Sequence, residues 1–187
     1  MNLTKAKLMK ASSACYLIFL FVMAPLLSSG EVARQVPFHE AEFKWTRGKG
    51  TGAVAGQAYI EMRDNSMKRG SRSYIVLFPV NAYTTEFIMR QYVHGEHLAL
   101  ADPRMARYLS DETADNQGNF SMRDLAPGDY YVGTMVNWEH HYWSTDSNNI
   151  LQKVTVHHAQ YIYARVTVRD GQTTRVTDWS QGADRIL

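Results

Sequence analysis

The sequence contains very little cysteine. Its single cysteine, Cys15, lies in an apolar run near the start of the chain. The remainder of the chain therefore has no thiol with which to form an internal disulfide. In an oxidising compartment, where small domains are often held by disulfides, this protein must be stabilised by packing instead.

Long apolar runs are also lacking, apart from residues 14–27. These 14 residues follow a lysine-containing start (1–10) and precede the small residues 28–30. This order is typical of a secretory signal peptide, so we predict a signal over residues 1–30 and cleavage near Glu31. The alternative is an uncleaved anchor, but a spanning helix needs about 20 apolar residues. We expect a periplasmic or secreted product with no stable membrane insertion after cleavage.

An excess of either positive or negative charge is lacking as well. Three of the 20 basic residues and none of the 18 acidic residues lie in the predicted signal, which leaves 17 against 18 and a formal net charge of −1. The basic character of the whole chain thus belongs to the signal. The mature protein has no excess of positive charge that would favour nucleic acid as a partner.

The exported part has the pattern of a β protein. Residues 31–49 are predicted as a lead-in segment and 50–187 as one domain. The apolar run 74–79 predicts a central strand, and alternation over 161–168 predicts another. A helical excursion is predicted over residues 83–93, capped by Thr84 or Thr85, with a second helical turn beginning at Asp102. Asp170 and the glycine after it predict a hairpin turn. Short strands at this spacing predict a β-sandwich of about seven strands.

One motif resembles a known family. Residues 113–131 (TADNQGNFSMRDLAPGDYY) combine an acidic turn, a glycine, an aromatic residue, a leucine and Pro-Gly-x-Tyr. This stretch, with GAVAGQAY at 52–59 and YIVLFPVNAYT at 74–84, resembles carboxypeptidase regulatory-like domains of the bacterial exported type. The resemblance implies an all-β fold, a single transthyretin-like Greek-key β-sandwich. It also implies a noncatalytic role, although the fold by itself does not fix function.

The histidines are grouped in the sequence and are its candidate metal ligands. His94 and His97 flank Glu96 in one segment, and His140 and His141 are adjacent in another. Imidazole and carboxylate groups suit zinc or copper. Adjacent residues on a strand point to opposite faces, so a metal site would need separate loops to meet. The alternative interpretation is that these are solvated polar residues. We predict no catalytic residue and no cofactor.

An enzyme on the same sandwich is the competing hypothesis. Intradiol ring-cleaving dioxygenases also have a Pro-Gly-x-Tyr stretch followed by an iron-binding His-x-His pair. Here Pro127-Gly-Asp-Tyr130 precedes His140 and His141, whose adjacency departs from that spacing. Hydroxyisourate hydrolase ends in Tyr-Arg-Gly-Ser, whereas this chain ends in Asp-Arg-Ile-Leu. A metal-binding or iron-dependent enzyme therefore stays as the alternative.

Aromatic residues give the clearest indication of binding. Trp138, Tyr142 and Trp143 are predicted to cluster in a loop rich in asparagine. Exposed aromatic rings beside amides can stack on sugars or contact a protein. Alternatively, Trp138 and one neighbour pack into the edge of the sandwich. We predict a noncatalytic exported accessory or interaction module that binds a protein or glycan partner at the cell envelope.

Overall fold

The computed structural model describes residues 30–48 and 50–186, so the predicted signal peptide lies outside the described residues except for Gly30. Ten strands carry most of the regular structure. Their bounds are β1 Gly52–Gln57, β2 Tyr59–Glu61, β3 Met67–Arg69, β4 Tyr74–Pro79, β5 Ser110–Thr113, β6 Asn119–Leu125, β7 Gly128–Thr145, β8 Leu151–Val168, β9 Thr173–Val176 and β10 Ser180–Ile186. Within the described part of the chain, none of the helices has the length and apolar character needed to span a bilayer.

The strands form two main sheets. One has the order β6-β1-β9, the other has the order β10-β8-β7-β4-β5, and β2 and β3 form a separate ribbon. All neighbours are antiparallel except β1 and β9, which are parallel. The predicted all-β sandwich is confirmed. It has ten strands where about seven were expected, because β2, β3 and β10 are too short or too polar for their sequences to signal them.

The main core lies between the two sheets. It is formed by alternate residues of the central strands, among them Val54, Leu77, Val132 and Ile162, all fully buried. The run that predicted a central strand is β4, which lies between β5 and β7. The side chains of Ile162, Ala164, Val166 and Val168 all enter this core, as the alternation in β8 predicted.

A helical excursion crosses the other face of the five-stranded sheet. It begins with helix α1, Ala82–Glu86, and continues as a π-helical segment, Phe87–Val93. The predicted cap at Thr84 or Thr85 is wrong. Asn81 is the N-cap, and its side chain and that of Thr84 each accept a hydrogen bond from the other's backbone N–H. A 3-10 helix, Pro103–Tyr108, follows, and Asp102 caps it as predicted.

This excursion buries a second, aromatic core against the sheet. The core contains Phe43, Phe78, Tyr83, Ile88, Met105, Tyr108, Tyr131 and Tyr161. Tyr161 is stacked on Tyr92, with ring centroids 3.5 Å apart. The five-stranded sheet is therefore covered on both faces over its central part, by the other sheet on one side and by the helical layer on the other.

The motif at residues 113–131 carries the chain from one sheet to the other and back. The Asp115 carboxylate accepts hydrogen bonds from the backbone N–H of Gln117 and Asn119, at 2.7 and 2.8 Å. Phe120 and Leu125 enter the main core. The buried Tyr130 hydroxyl then donates to the Ala126 carbonyl at 2.9 Å, which fixes the start of β7.

The predicted hairpin at Asp170 is wrong, although the turn itself exists. Gly171 has φ +68°, a conformation that glycine adopts without steric cost. After the turn, β9 does not return along β8 in the same sheet but joins the other sheet beside β1. The Asp170 carboxylate accepts hydrogen bonds from the backbone and hydroxyl of Thr51, which ties the turn to the start of β1.

The predicted lead-in segment packs on the helical layer. Phe43 is fully buried in the aromatic core, and the buried Glu86 carboxylate accepts hydrogen bonds from the backbone N–H of Gln35 and Val36, at 2.6 and 3.3 Å. Burial alone would raise the pKa of Glu86. The hydrogen bonds from Gln35 and Arg90 outweigh it, so the pKa lies below its usual value.

We predict that Glu86→Gln lowers stability at neutral pH by about 1.5–3 kcal/mol, because hydrogen bonds to a buried charge are lost or weakened. A depressed carboxyl pKa stabilises the fold above the unfolded-state pKa, and this stabilisation disappears as the pH falls through the folded value. Chemical denaturation at pH 7 and at pH 3 checks this. The difference from wild type should shrink at pH 3, and the exposed Glu61→Gln serves as control.

Candidate binding site

The longest hairpin of the molecule extends beyond the rest of its sheet. β7 and β8 are paired over their full 18 residues. β4 pairs with β7 only up to Gly133, and β10 pairs with β8 only from His158 onward. Residues 137–145 and 151–158, with the turn between them, form what we call the arm. Within the described residues, its strands pair along most of this length only with each other. At about 3.3 Å per residue, the arm is about 25–30 Å long.

The turn at the end of the arm is held by one side chain. The Asp146 carboxylate accepts hydrogen bonds from the backbone N–H of Asn148 and Ile150, both at 2.9 Å. Backbone bonds between Asp146 and Ile150 close the same turn, and Asn149 has φ +62°. The end of the arm is therefore a defined turn whose backbone donors are largely satisfied.

The first face of the arm continues the face of the sheet that lines the main core. Trp138 is half-buried, packs against that core and stacks on His158, with ring centroids 5.1 Å apart and planes 5° apart. Farther out, His140 stacks on Tyr142 at 6.1 Å. Tyr142 is 45% exposed. Along this face the rings are therefore packed against the main core at the base of the arm, and they form an open row farther out.

The second face is more polar. The Glu139 carboxylate lies between two imidazoles, 3.5 Å from His141 and 3.4 Å from His157. His141 Nδ1 is also 3.0 Å from the Thr155 hydroxyl. Trp143, 66% exposed, lies beyond this cluster on the same face.

The fold is similar to that of a solved bacterial protein. That protein is a proposed carbohydrate-binding protein of Pseudomonas aeruginosa, known from a crystal structure. The similarity covers 74% of this chain and 94% of that chain, with 21% sequence identity and a TM-score of 0.56. At this identity the likeness shows the fold alone. No protein-family model matches the sequence, and neither does any curated protein.

The predicted aromatic loop is not a loop. Trp138, Tyr142 and Trp143 all lie in strand β7. Because side chains alternate along a strand, Trp143 lies on the opposite face from the other two residues. The expected single cluster is therefore divided, with Tyr142 open on the first face, Trp143 open on the second and Trp138 at the root. The alternative that Trp138 packs into the sandwich edge matches its position.

The candidate metal ligands are not brought together. His94 and Glu96 follow the π-helical segment, with His94 Nδ1 and Glu96 Oε1 3.9 Å apart, and Glu96 is paired instead with Arg90 at 2.6 Å. His97 contributes its backbone carbonyl to a bond from Val32. Among the described residues, no group of three or more histidine, cysteine or acidic side chains is arranged to hold a metal ion.

The same alternation removes the basis of the dioxygenase-like alternative. His140 and His141 are consecutive in β7, so their imidazoles lie on opposite faces of the arm. His140 stacks on Tyr142, whereas His141 contacts Glu139 and Thr155. The two side chains cannot present nitrogen ligands to one iron from these positions.

Two features were missed from the sequence. Ile150 and Leu151 are exposed at the end of the arm, and a signal for them existed in the apolar pair directly after Asn148 and Asn149. A shallow, open pocket of about 470 Å³ also lies on the three-stranded sheet. It is lined by residues of β1, β6 and β9 together with Tyr59 of β2. These strands are not all neighbours in sequence, so no local pattern could predict the pocket.

Proposed function

We propose that this protein is a noncatalytic binding module, exported to the periplasm or beyond, that binds a glycan on the first face of the arm. The proposal includes membership of the carboxypeptidase regulatory-like family, which rests on the motif at residues 113–131. Export rests on the leader-like residues 1–30. The observation that carries the function is the exposed row of rings on an arm whose residues 139–157 belong to neither sandwich core.

The chemistry of the first face suits a sugar chain. The apolar C–H face of a pyranose ring stacks on an aromatic ring, and neighbouring polar groups fix its orientation through its hydroxyls. Tyr142 offers the exposed ring. His140, Ser144 and Gln152 lie on the same face of the paired strands and offer donors and acceptors beside it. Residues two apart on a strand are separated by about 7 Å, so the row has the length of a short oligosaccharide.

The structural neighbour adds support of a different kind. Its proposed ligand is a carbohydrate, and it shares the sandwich on which this arm is built. A protein partner is the second candidate. The specific observation that favours it is that, among the described residues, no third strand pairs with the outer edges of the arm along most of its length. Such edges can accept an additional strand from another chain.

We expect Tyr142→Ala to weaken glycan binding about five- to tenfold, the effect of losing roughly 1–1.4 kcal/mol of ring contact. Trp143→Ala is the matched control because this ring lies on the opposite face. The first measurement is binding to a printed panel of neutral, amino-sugar and uronic-acid oligosaccharides, followed by titration calorimetry with the best ligand. Equal losses in both variants would contradict the assignment to the first face. Binding of a protein but of no oligosaccharide would show instead that the arm binds a protein partner.

A further inference from the structure

The end of the arm carries a concentrated apolar surface. Trp143, Ile150 and Leu151 are 66%, 59% and 63% exposed. Trp143 pairs with Lys153 and Leu151 with Thr145, which places the tryptophan and the leucine as diagonal neighbours on the second face. Ile150 adjoins them in the turn. We call these three side chains the tip. With Tyr142, the tip accounts for four of the nine large exposed hydrophobic residues of the described chain, all within ten positions.

The tip is presented by a turn whose backbone donors are largely satisfied. Asp146 accepts two backbone N–H groups of the turn, and the inward-facing backbone groups of the two strands pair with each other. An apolar environment penalises unpaired backbone donors and acceptors strongly. A closed hairpin end can therefore leave water at a lower cost than an irregular loop of the same composition.

The size of the tip favours a lipid surface over a second copy of the chain. From the exposures of its three side chains, its apolar area is roughly 400 Å². A specific protein interface buries about 800 Å² on each partner. The tip is also convex, since it ends a two-stranded ribbon. A wedge of this kind matches the boundary between lipid headgroups and acyl chains, where amphipathic segments bury their apolar side about 5–10 Å deep.

The chemistry of the neighbouring residues agrees with that depth. Tryptophan is enriched at the interface between membrane and water because its ring is apolar while its N–H is polar. Lys153, directly opposite Trp143 in the hairpin, can extend its ammonium toward lipid phosphates. The one carboxylate in the turn, Asp146, is engaged by backbone donors.

We infer that the tip inserts shallowly and reversibly into a lipid surface and holds the module against the cell envelope. This inference goes beyond the proposed function, because the tip and the first face use different side chains. The arm would then contact lipid with its end while its first face remains open to a glycan.

The test is co-flotation of the exported protein, purified after loss of its leader, with phosphatidylcholine–phosphatidylglycerol vesicles. We expect the wild-type protein to partition onto the vesicles and Ile150→Ser/Leu151→Ser to bind at least about tenfold more weakly. Leu100→Ser is the matched control, because Leu100 is 64% exposed but lies outside the arm. Trp143 should also be quenched by brominated lipid, so that quenching is lost in Trp143→Phe.

Three results would overturn the inference. The first is no flotation of the wild-type protein, and the second is an equal loss of vesicle binding in Leu100→Ser. The third is self-association without lipid that the tip double variant abolishes, which would show that the tip contacts a second copy of the chain. Measuring oligosaccharide binding and vesicle binding in the same variants distinguishes the failure of one proposal from the failure of the other. The tip variant should retain oligosaccharide binding, and Tyr142→Ala should retain vesicle binding. The three substituted residues, Tyr142, Ile150 and Leu151, are all exposed, and circular dichroism verifies that each variant folds.

Discussion

Replacing Gly133 by valine is expected to destabilise the domain by about 3 kcal/mol or more and to lower its melting temperature by about 6–12 °C. Gly133 lies in β7, between β4 and β8, at the last pairing of β7 with β4. A Cβ atom there would lie 2.6 Å from Cζ of Tyr161 and closer still to its hydroxyl oxygen. Tyr161 is buried and stacked on Tyr92, so its ring has little room to move.

Two variants separate this steric effect from the general cost of losing a glycine. Gly171→Ala introduces a side chain with no atom within 4 Å, at φ +68°, so only its backbone conformation is strained. It is expected to cost about 1 kcal/mol. Combining Gly133→Ala with Tyr161→Leu should cost less than the sum of the single changes, since the obstructing ring is gone. Strict additivity in thermal unfolding would show that the ring is not the cause.

Much of the sandwich could be predicted because its central strands are buried and their patterns are local. The apolar run of β4 and the alternation in β8 each reflect which faces are buried. The turn residues at Asp115 and Asp170 also signal correctly where the chain reverses. They do not signal the partner of the next strand. After Asp170 the chain joins β1 in the other sheet, and that choice depends on contacts between residues far apart in sequence.

The outer part of β7 could not be predicted as a strand for the complementary reason, whereas the alternation over residues 151–157 did favour a strand. Outside the sandwich no face of the hairpin is fully buried, so residues 137–145 show no apolar alternation and look like a polar loop. The aromatic residues that suggested binding, Trp138, Tyr142 and Trp143, were visible in the sequence. Their division between two faces became visible only once β7 and β8 were seen to pair through the whole segment. The same pairing separates His140 from His141.

Excising the arm should remove binding while leaving the sandwich folded. The stacked pair Trp138 and His158 closes the main core at the root of the arm. Joining these two residues by Asn-Gly, in place of residues 139–157, preserves that stack and supplies a sequence suited to a two-residue hairpin turn. Both cores retain all their buried side chains, since none of those residues lies within 139–157. An isolated two-stranded ribbon contributes little stability of its own.

The most direct test compares the arm-excised protein with wild type by thermal unfolding and by binding to the oligosaccharide panel and the vesicles. We predict one cooperative transition within a few degrees of wild type, since excision touches neither core. Binding to both ligands should fall to background. Undiminished oligosaccharide binding would place the site on the sandwich, with the shallow pocket on the three-stranded sheet as the next candidate. Loss of cooperative unfolding would contradict the prediction and show that the sandwich needs the arm in order to fold.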